Sequence, residues 1–114
     1  MTREFVMLPE FDRQWQRMGL GDDELRQLQE ALLQNPKAGV VVRGTGKLRK
    51  IRIAFEGQGK RGGGRAAYVD FTIHEVVYLI TAYPKNEKDN LTKAERNEIV
   101  KVIVRLERGE EDRK

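Results

Sequence analysis

Residues 65–83, RAAYVDFTIHEVVYLITAY, decide the fold. Alternation from Arg65 to Ile73 puts Ala67, Val69, Phe71 and Ile73 on one face of a strand, a period of two rather than the 3.6 of a helix. His74-Glu75 then reads as a tight turn. Val76 to Tyr83 is apolar on both faces, the pattern of a central strand covered on both sides for much of its length. The flanking sequence has to supply the layers that cover it.

Upstream, Leu48 to Phe55 predicts a second period-two strand. Ile51, Ile53 and Phe55 share one face with Arg49, while Leu48, Lys50, Arg52 and Ala54 take the other. Gly57 to Gly64 holds five glycines in eight residues and is a loop. Ala38 to Thr45 is a connector in which Val40-Val41-Val42 can pair briefly. Farther upstream, Phe11, Trp15 and Met18 fall at i, i+4 and i+7 after Pro9, with Gly19 as the stop of a first helix. A second helix is capped at Asp22 or Asp23, carries Leu25, Leu28 and Leu32, and ends at Asn35-Pro36. Gly19-Leu20-Gly21 joins the two as an antiparallel hairpin. Arg3 to Leu8 is a first strand. Downstream, Thr92 and Glu95 form a T-x-x-E capping box ahead of Ile99, Val102, Ile103 and Leu106, and Gly109 closes that helix. The order is β-α-α-β-β-β-α: an α+β domain with a small antiparallel sheet, an N-terminal helical hairpin and a C-terminal helix.

The 114 residues make a single domain, 1–114, with a charged tail from about 109. There is no cysteine, which removes disulfides, thiolate metal sites and a cysteine nucleophile. His74 is the one histidine, so a two-histidine nuclease mechanism and a histidine-clustered metal centre are excluded. Neither metal nor cofactor is expected. The longest uncharged stretch, Val76 to Pro84, is far short of the roughly 20 residues that cross a bilayer. The N-terminus lacks a signal-peptide layout, and a cytoplasmic protein without membrane contact is expected.

Net charge is +4, unevenly spread. Between residues 43 and 65, Arg43, Lys47, Arg49, Lys50, Arg52, Lys60, Arg61 and Arg65 face Glu56 alone. Such a stretch is the footprint of a phosphate-binding surface. Two phosphate motifs fail on context. Gly57 to Gly62 fits G-x-G-x-x-G but leads into a strand instead of a helix, and Gly44-Thr45-Gly46-Lys47 lacks the remainder of a P-loop. Alternation does gather cations: Lys50 and Arg52 stand opposite the Ile51/Ile53/Phe55 face, and Arg65 opens the next strand across a hairpin. Tyr83 and Lys85 to Lys88 arrive at the end of the last strand. Cations that hold phosphates beside a ring that stacks on a base suit nucleic acid.

Three blocks carry a resemblance: Gly46-Lys47-Leu48-Arg49-Lys50-Ile51-Arg52, Gly59 to Arg65, and Tyr78-Leu79-Ile80 through Tyr83-Pro84-Lys85-Asn86-Glu87-Lys88 to Thr92. Together with a two-helix lead-in ending in Asn-Pro, they resemble the HigB-type branch of the RelE/ParE toxin superfamily. The resemblance implies the toxin of a type II toxin–antitoxin pair, a ribosome-dependent mRNA endoribonuclease that inhibits translation. It implies attack of a ribose 2′-OH on the adjacent phosphate in the ribosomal A site without metal. Lys50, Arg52, Arg65 and Lys85 match the family's catalytic cations, with Lys47, Arg49, Lys60, Arg61, Tyr83 and Lys88 as RNA contacts. Lys50 and Lys85 are alternatives for proton transfer. Some relatives place a tyrosine or histidine near the C-terminus; this chain does not, which leaves Tyr83 for stacking. The implied partner is a helix-turn-helix, HigA-type antitoxin, through which alone operator DNA is contacted. A ParE-like DNA gyrase poison and a non-catalytic nucleic-acid-binding module are the alternatives; convergence of Lys50, Arg52 and Arg65 favours the nuclease.

Overall fold

A computed structural model describes residues 2–53, 63–88 and 90–109. Five strands form one sheet in the order β1-β5-β4-β3-β2, with β1 Glu4–Met7, β2 Val40–Val41, β3 Arg49–Ile53, β4 Gly64–Phe71 and β5 Val76–Pro84. Helices α1 (Pro9–Arg17), α2 (Asp22–Gln34) and α3 (Lys93–Glu107) complete the chain. The α+β reading and the element order hold, with the Val40-Val41 pairing counted as a strand of its own.

One feature of the sheet departs from the expected pattern. β1 runs parallel to β5, Glu4 opposite Val76 and Met7 opposite Leu79, so the sheet is mixed rather than antiparallel. Tight turns force antiparallel neighbours. β1 reaches the sheet through the whole helical hairpin, and no turn dictates its direction.

The sheet is covered on both faces. Phe11, Trp15, Leu28 and Leu32 of the hairpin pack on Ile53, Ala66, Tyr68, Val77, Leu79 and Ala82. On the opposite face Ile99, Ile103 and Leu106 of α3 pack on Leu48, Ala67, Val69, Tyr78 and Ile80. Each large apolar side chain so buried contributes about 1.5–3 kcal/mol. β5 serves both layers, as its two apolar faces require, and every residue from Val76 to Tyr83 is buried. Its phase slips once. Ala67 pairs with Thr81 and Tyr68 with Leu79, leaving Ile80 as a bulge. Val77, Leu79 and Ala82 therefore face the hairpin, whereas Tyr78, Ile80 and Tyr83 face α3.

Two further local expectations are corrected. Ile73, placed on the core face, is 92% exposed. β4 ends at Phe71, and a 3₁₀ turn over Thr72–His74 swings Ile73 outward before Glu75 takes a left-handed φ of 56°. Helix α2 is capped at Gly21, not at an aspartate: the Glu24 carboxylate accepts from the Gly21 N–H at 2.7 Å, and Asp22 and Asp23 occupy the first turn. The capping box of α3 forms as read. Glu95 N–H donates to Thr92 Oγ1 at 3.1 Å, and Thr92 N–H donates to Glu95 Oε1 at 2.8 Å. Ala54, Phe55 and the glycine loop through Gly62 lie outside the described residues, as does the tail beyond Gly109.

Tyr68 ties the incoming β2 connector to the sheet. Its hydroxyl donates to the Pro36 carbonyl at 2.8 Å and accepts from the Gly39 N–H at 2.9 Å. Burial pushes this phenol above its ordinary pKa. Gly39 has to be glycine here, since a Cβ would come within 2.7 Å of the Lys50 carbonyl and 2.9 Å of the tyrosine ring.

Candidate RNA-cleaving face

The strand register builds one row of functional side chains. Arg52 lies opposite Arg65, and Arg65 opposite Tyr83, so the three cross β3, β4 and β5 in line on the face that α3 covers farther along. Adjacent strands stand about 4.8 Å apart, which brings the two guanidinium groups within reach of one phosphate. Arg52 is exposed, with no side-chain partner among the described residues. Arg65 is half-buried and donates to the Gly64 carbonyl at 3.0 Å. Lys50 follows on the same face, one pleat back, its ammonium donating to Asn90 Oδ1. Lys85 stands just past the Gly64–Pro84 pair, its side chain exposed and its N–H bonded to the Gly63 carbonyl at 3.0 Å. The structure thus brings Lys50, Arg52, Arg65 and Lys85 to one end of the sheet. Two permanently charged, planar donors beside two ammonium groups can hold a phosphodiester and take up the negative charge that grows on its oxygens during in-line attack.

Other residues marked in the sequence are placed elsewhere. Lys47 sits at the opposite end, ion-paired to Glu107 with its ammonium 5.6 Å from the Phe71 ring centroid. Arg49 points to the other face and donates to the Gly39 carbonyl at 2.7 Å, which makes it a brace for the β2 connector. Tyr83 is only 2% exposed, and the Lys88 ammonium lies 5.4 Å from its ring centroid. The ring is a core wall in this structure rather than an open stacking platform, because the bulge turns it toward α3. Lys88 also pairs with Glu95. Lys60 and Arg61 lie outside the described residues.

The family model described as the RelE toxin of RelE/RelB toxin–antitoxin systems matches residues 8–112. The chain belongs to the RelE toxin family. Among solved structures, a double arginine-to-alanine mutant of E. coli toxin RelE in the free state matches with a TM-score of 0.58 at 18% identity, covering 87% of this chain and 98% of that one. At that identity the likeness is one of fold. The RelE family assignment agrees with the superfamily read from the sequence.

Sequence reasoning missed a second set of side chains. Arg43, Asn90, Lys93, Arg96 and Asn97 line a groove that continues from Lys50 between the β2 connector and the start of α3. Arg43 was visible within the basic stretch. Lys93 and Arg96 were hidden in a segment whose acids outnumber its bases; of its described acids, none lines this groove. Among the described residues no group of three His, Asp or Glu side chains is placed to hold a metal ion, and no helix is long and apolar enough to cross a membrane.

Proposed function

We propose that this RelE-family protein is a HigB-type toxin that cuts mRNA on the ribosome. The observation that carries the reading is the Arg52–Arg65 pair across β3 and β4, flanked by Lys50 and Lys85. In the proposed reaction the ribose 2′-oxygen forms a bond to the adjacent phosphorus while the bond to the 5′-oxygen breaks. The products are a 2′,3′-cyclic phosphate and a 5′-hydroxyl. Arg52 and Arg65 hold the non-bridging oxygens as their charge grows. The 2′-OH proton passes to Lys50, which Asn90 orients and which acts here as the neutral amine, and the ammonium of exposed Lys85 gives a proton to the leaving 5′-oxygen. No step uses a metal. The cations bind a phosphate but do not force the three reacting atoms into line. Alignment is worth about 7–11 kcal/mol, and the ribosomal A site supplies it by gripping the message.

The cytoplasm is the proposed site of action, with a helix-turn-helix, HigA-type antitoxin as the neutralising partner. The test compares one mRNA alone and on programmed ribosomes. Cleavage only on ribosomes, persisting in EDTA at levels that keep ribosomes assembled and leaving 5′-hydroxyl ends, is the expected result. Efficient metal-dependent cleavage of naked RNA overturns the mechanism. No cleavage in either setting, with DNA damage in cells, moves the reading to a gyrase poison.

A further inference from the structure

The groove between the β2 connector and α3 has a volume of about 700 Å³ and is lined by Arg43, Lys50, Lys93 and Arg96, with no acidic side chain among its described lining residues. Across α3 lies a second groove, of about 630 Å³, lined by Glu10, Glu87, Glu95 and Glu98. Helix stability does not account for the basic set. A helix N-terminus favours acids, and all three helices carry them there: Glu10 and Asp12 in α1, Asp22, Asp23 and Glu24 in α2, and Glu95 in α3. Lys93 and Arg96 stand in or beside the first turn of α3, against the dipole. Nor does ion pairing account for them. Arg43 and Lys93 have no partner among the described residues, and Arg96 is turned to the Leu91 carbonyl at 2.8 Å. Four cations converge on a concave surface whose described lining residues carry no negative charge.

We propose that this groove carries the substrate strand away from the cut, with Arg43, Lys93 and Arg96 holding phosphates of neighbouring nucleotides. The inference rests on the RNA-cleaving reading above. Lys50 gives the continuity: it lines the groove and lies two residues along β3 from Arg52, about 6.6 Å. The Val40–Val42 wall gives apolar contact for a ribose or base, while the cations grip the backbone without regard to sequence. The groove is therefore a positioning subsite. It changes how well the message is held, not how fast a held message is cut.

The test uses full-length toxin on programmed ribosomes, with Arg43→Gln and Lys93→Gln as groove variants and Arg52→Ala as the site control. The message carries single neutral methylphosphonate linkages at successive positions beside the cut. Each groove variant is expected to raise the toxin concentration for half-maximal single-turnover cleavage about three- to tenfold, with the maximal rate changed less than about twofold. That loss should fail to add to the loss from a neutral linkage at one or two positions, since both remove the same contact. Unchanged half-saturation in both variants, while the parent cuts and Arg52→Ala does not, overturns the groove and leaves the cleavage reading standing. Strict additivity with every linkage overturns it in favour of contacts to ribosomal RNA. Normal cleavage with weakened neutralisation by antitoxin overturns it in favour of a protein partner. A parent that cuts nothing on ribosomes removes the cleavage reading, and the groove with it.

Discussion

The two grooves beside α3 share a helix and differ in sign. Lys93, Arg96 and Asn97 turn toward β2, whereas Ala94, Glu95, Glu98 and Val102 turn toward α1. Residues three and four apart share a face, so one helix can present a basic and an acidic wall while Ile99, Ile103 and Leu106 hold it to the sheet. The acidic side is also internally neutralised, with Arg17 on Glu87 and Lys88 on Glu95, while the basic side keeps its charge open. A near-zero charge over a stretch of chain therefore says little about the field at its surface.

The sharpest way to break this contrast is to remove charge from each side. Arg52→Ala or Arg65→Ala should lower the maximal cleavage rate about 10²–10³-fold. Glu98→Gln, in the acidic groove, should leave single-turnover cleavage unchanged. Equal losses from both would mean that the whole α3 neighbourhood, and not the cationic end of the sheet, supports the reaction.

Next in size is the wall of the basic groove. Tyr68→Phe leaves the Pro36 carbonyl and the Gly39 N–H without their partner, which costs about 1–3 kcal/mol in urea unfolding. The parent should also lose stability in alkali. The buried phenol keeps its proton above the ordinary value of 10.0, so the unfolded chain releases that proton first and is favoured as pH rises past it. Tyr68→Phe should flatten that part of the pH profile.

The helix start common to both grooves comes third. Thr92→Ala should cost about 1 kcal/mol and weaken both walls alike. Burial pushes the Glu95 carboxyl up, but hydrogen bonds from Lys88 and Thr92 outweigh it and leave the group below the ordinary 4.5. Its contribution is present above that value and lost as pH falls through it, since the unfolded chain takes up the proton first. Acid unfolding of Thr92→Ala should show a smaller dependence in that window. The smallest effect belongs to Glu87→Gln. Its pair with Arg17 is half exposed at both ends, and the melting temperature should not move measurably.

Much of this architecture is legible in the residues. The Val76–Tyr83 run announces a strand buried on both faces, and Thr92 with Glu95 announces the start of α3. Period two along Leu48–Ile53 also separates Ile51 and Ile53 from Lys50 and Arg52, which is half of the candidate site. What stays hidden depends on partners distant in sequence. Arg49 looks like its cationic neighbours until the Gly39 carbonyl is placed beside it, and Lys47 looks alike until Glu107 is. The parallel pairing of β1 leaves no local signature, because no turn joins it to β5. Ile73 misleads because it continues the alternation of β4 into a turn. The bulge at Ile80 is silent because Ile80 and Thr81 both suit a strand, yet it decides where Tyr83 points.

That bulge also sets which changes in chain length β5 can absorb. Removing a residue from a regular strand exchanges the two faces of everything beyond it. Here three steps separate Leu79 from Ala82 although both face the helical hairpin, so the strand carries one residue more than alternation needs. Loss of Thr81, with the core residue Ile80 taking its place opposite Ala67, would restore even pleating and keep Tyr83 beneath α3 and Lys85 at the cationic end. Loss of Val77 would send the core side chains on its shortened side to the wrong layers. In a scan of single-residue deletions, the tolerated gap in this strand should fall at Thr81.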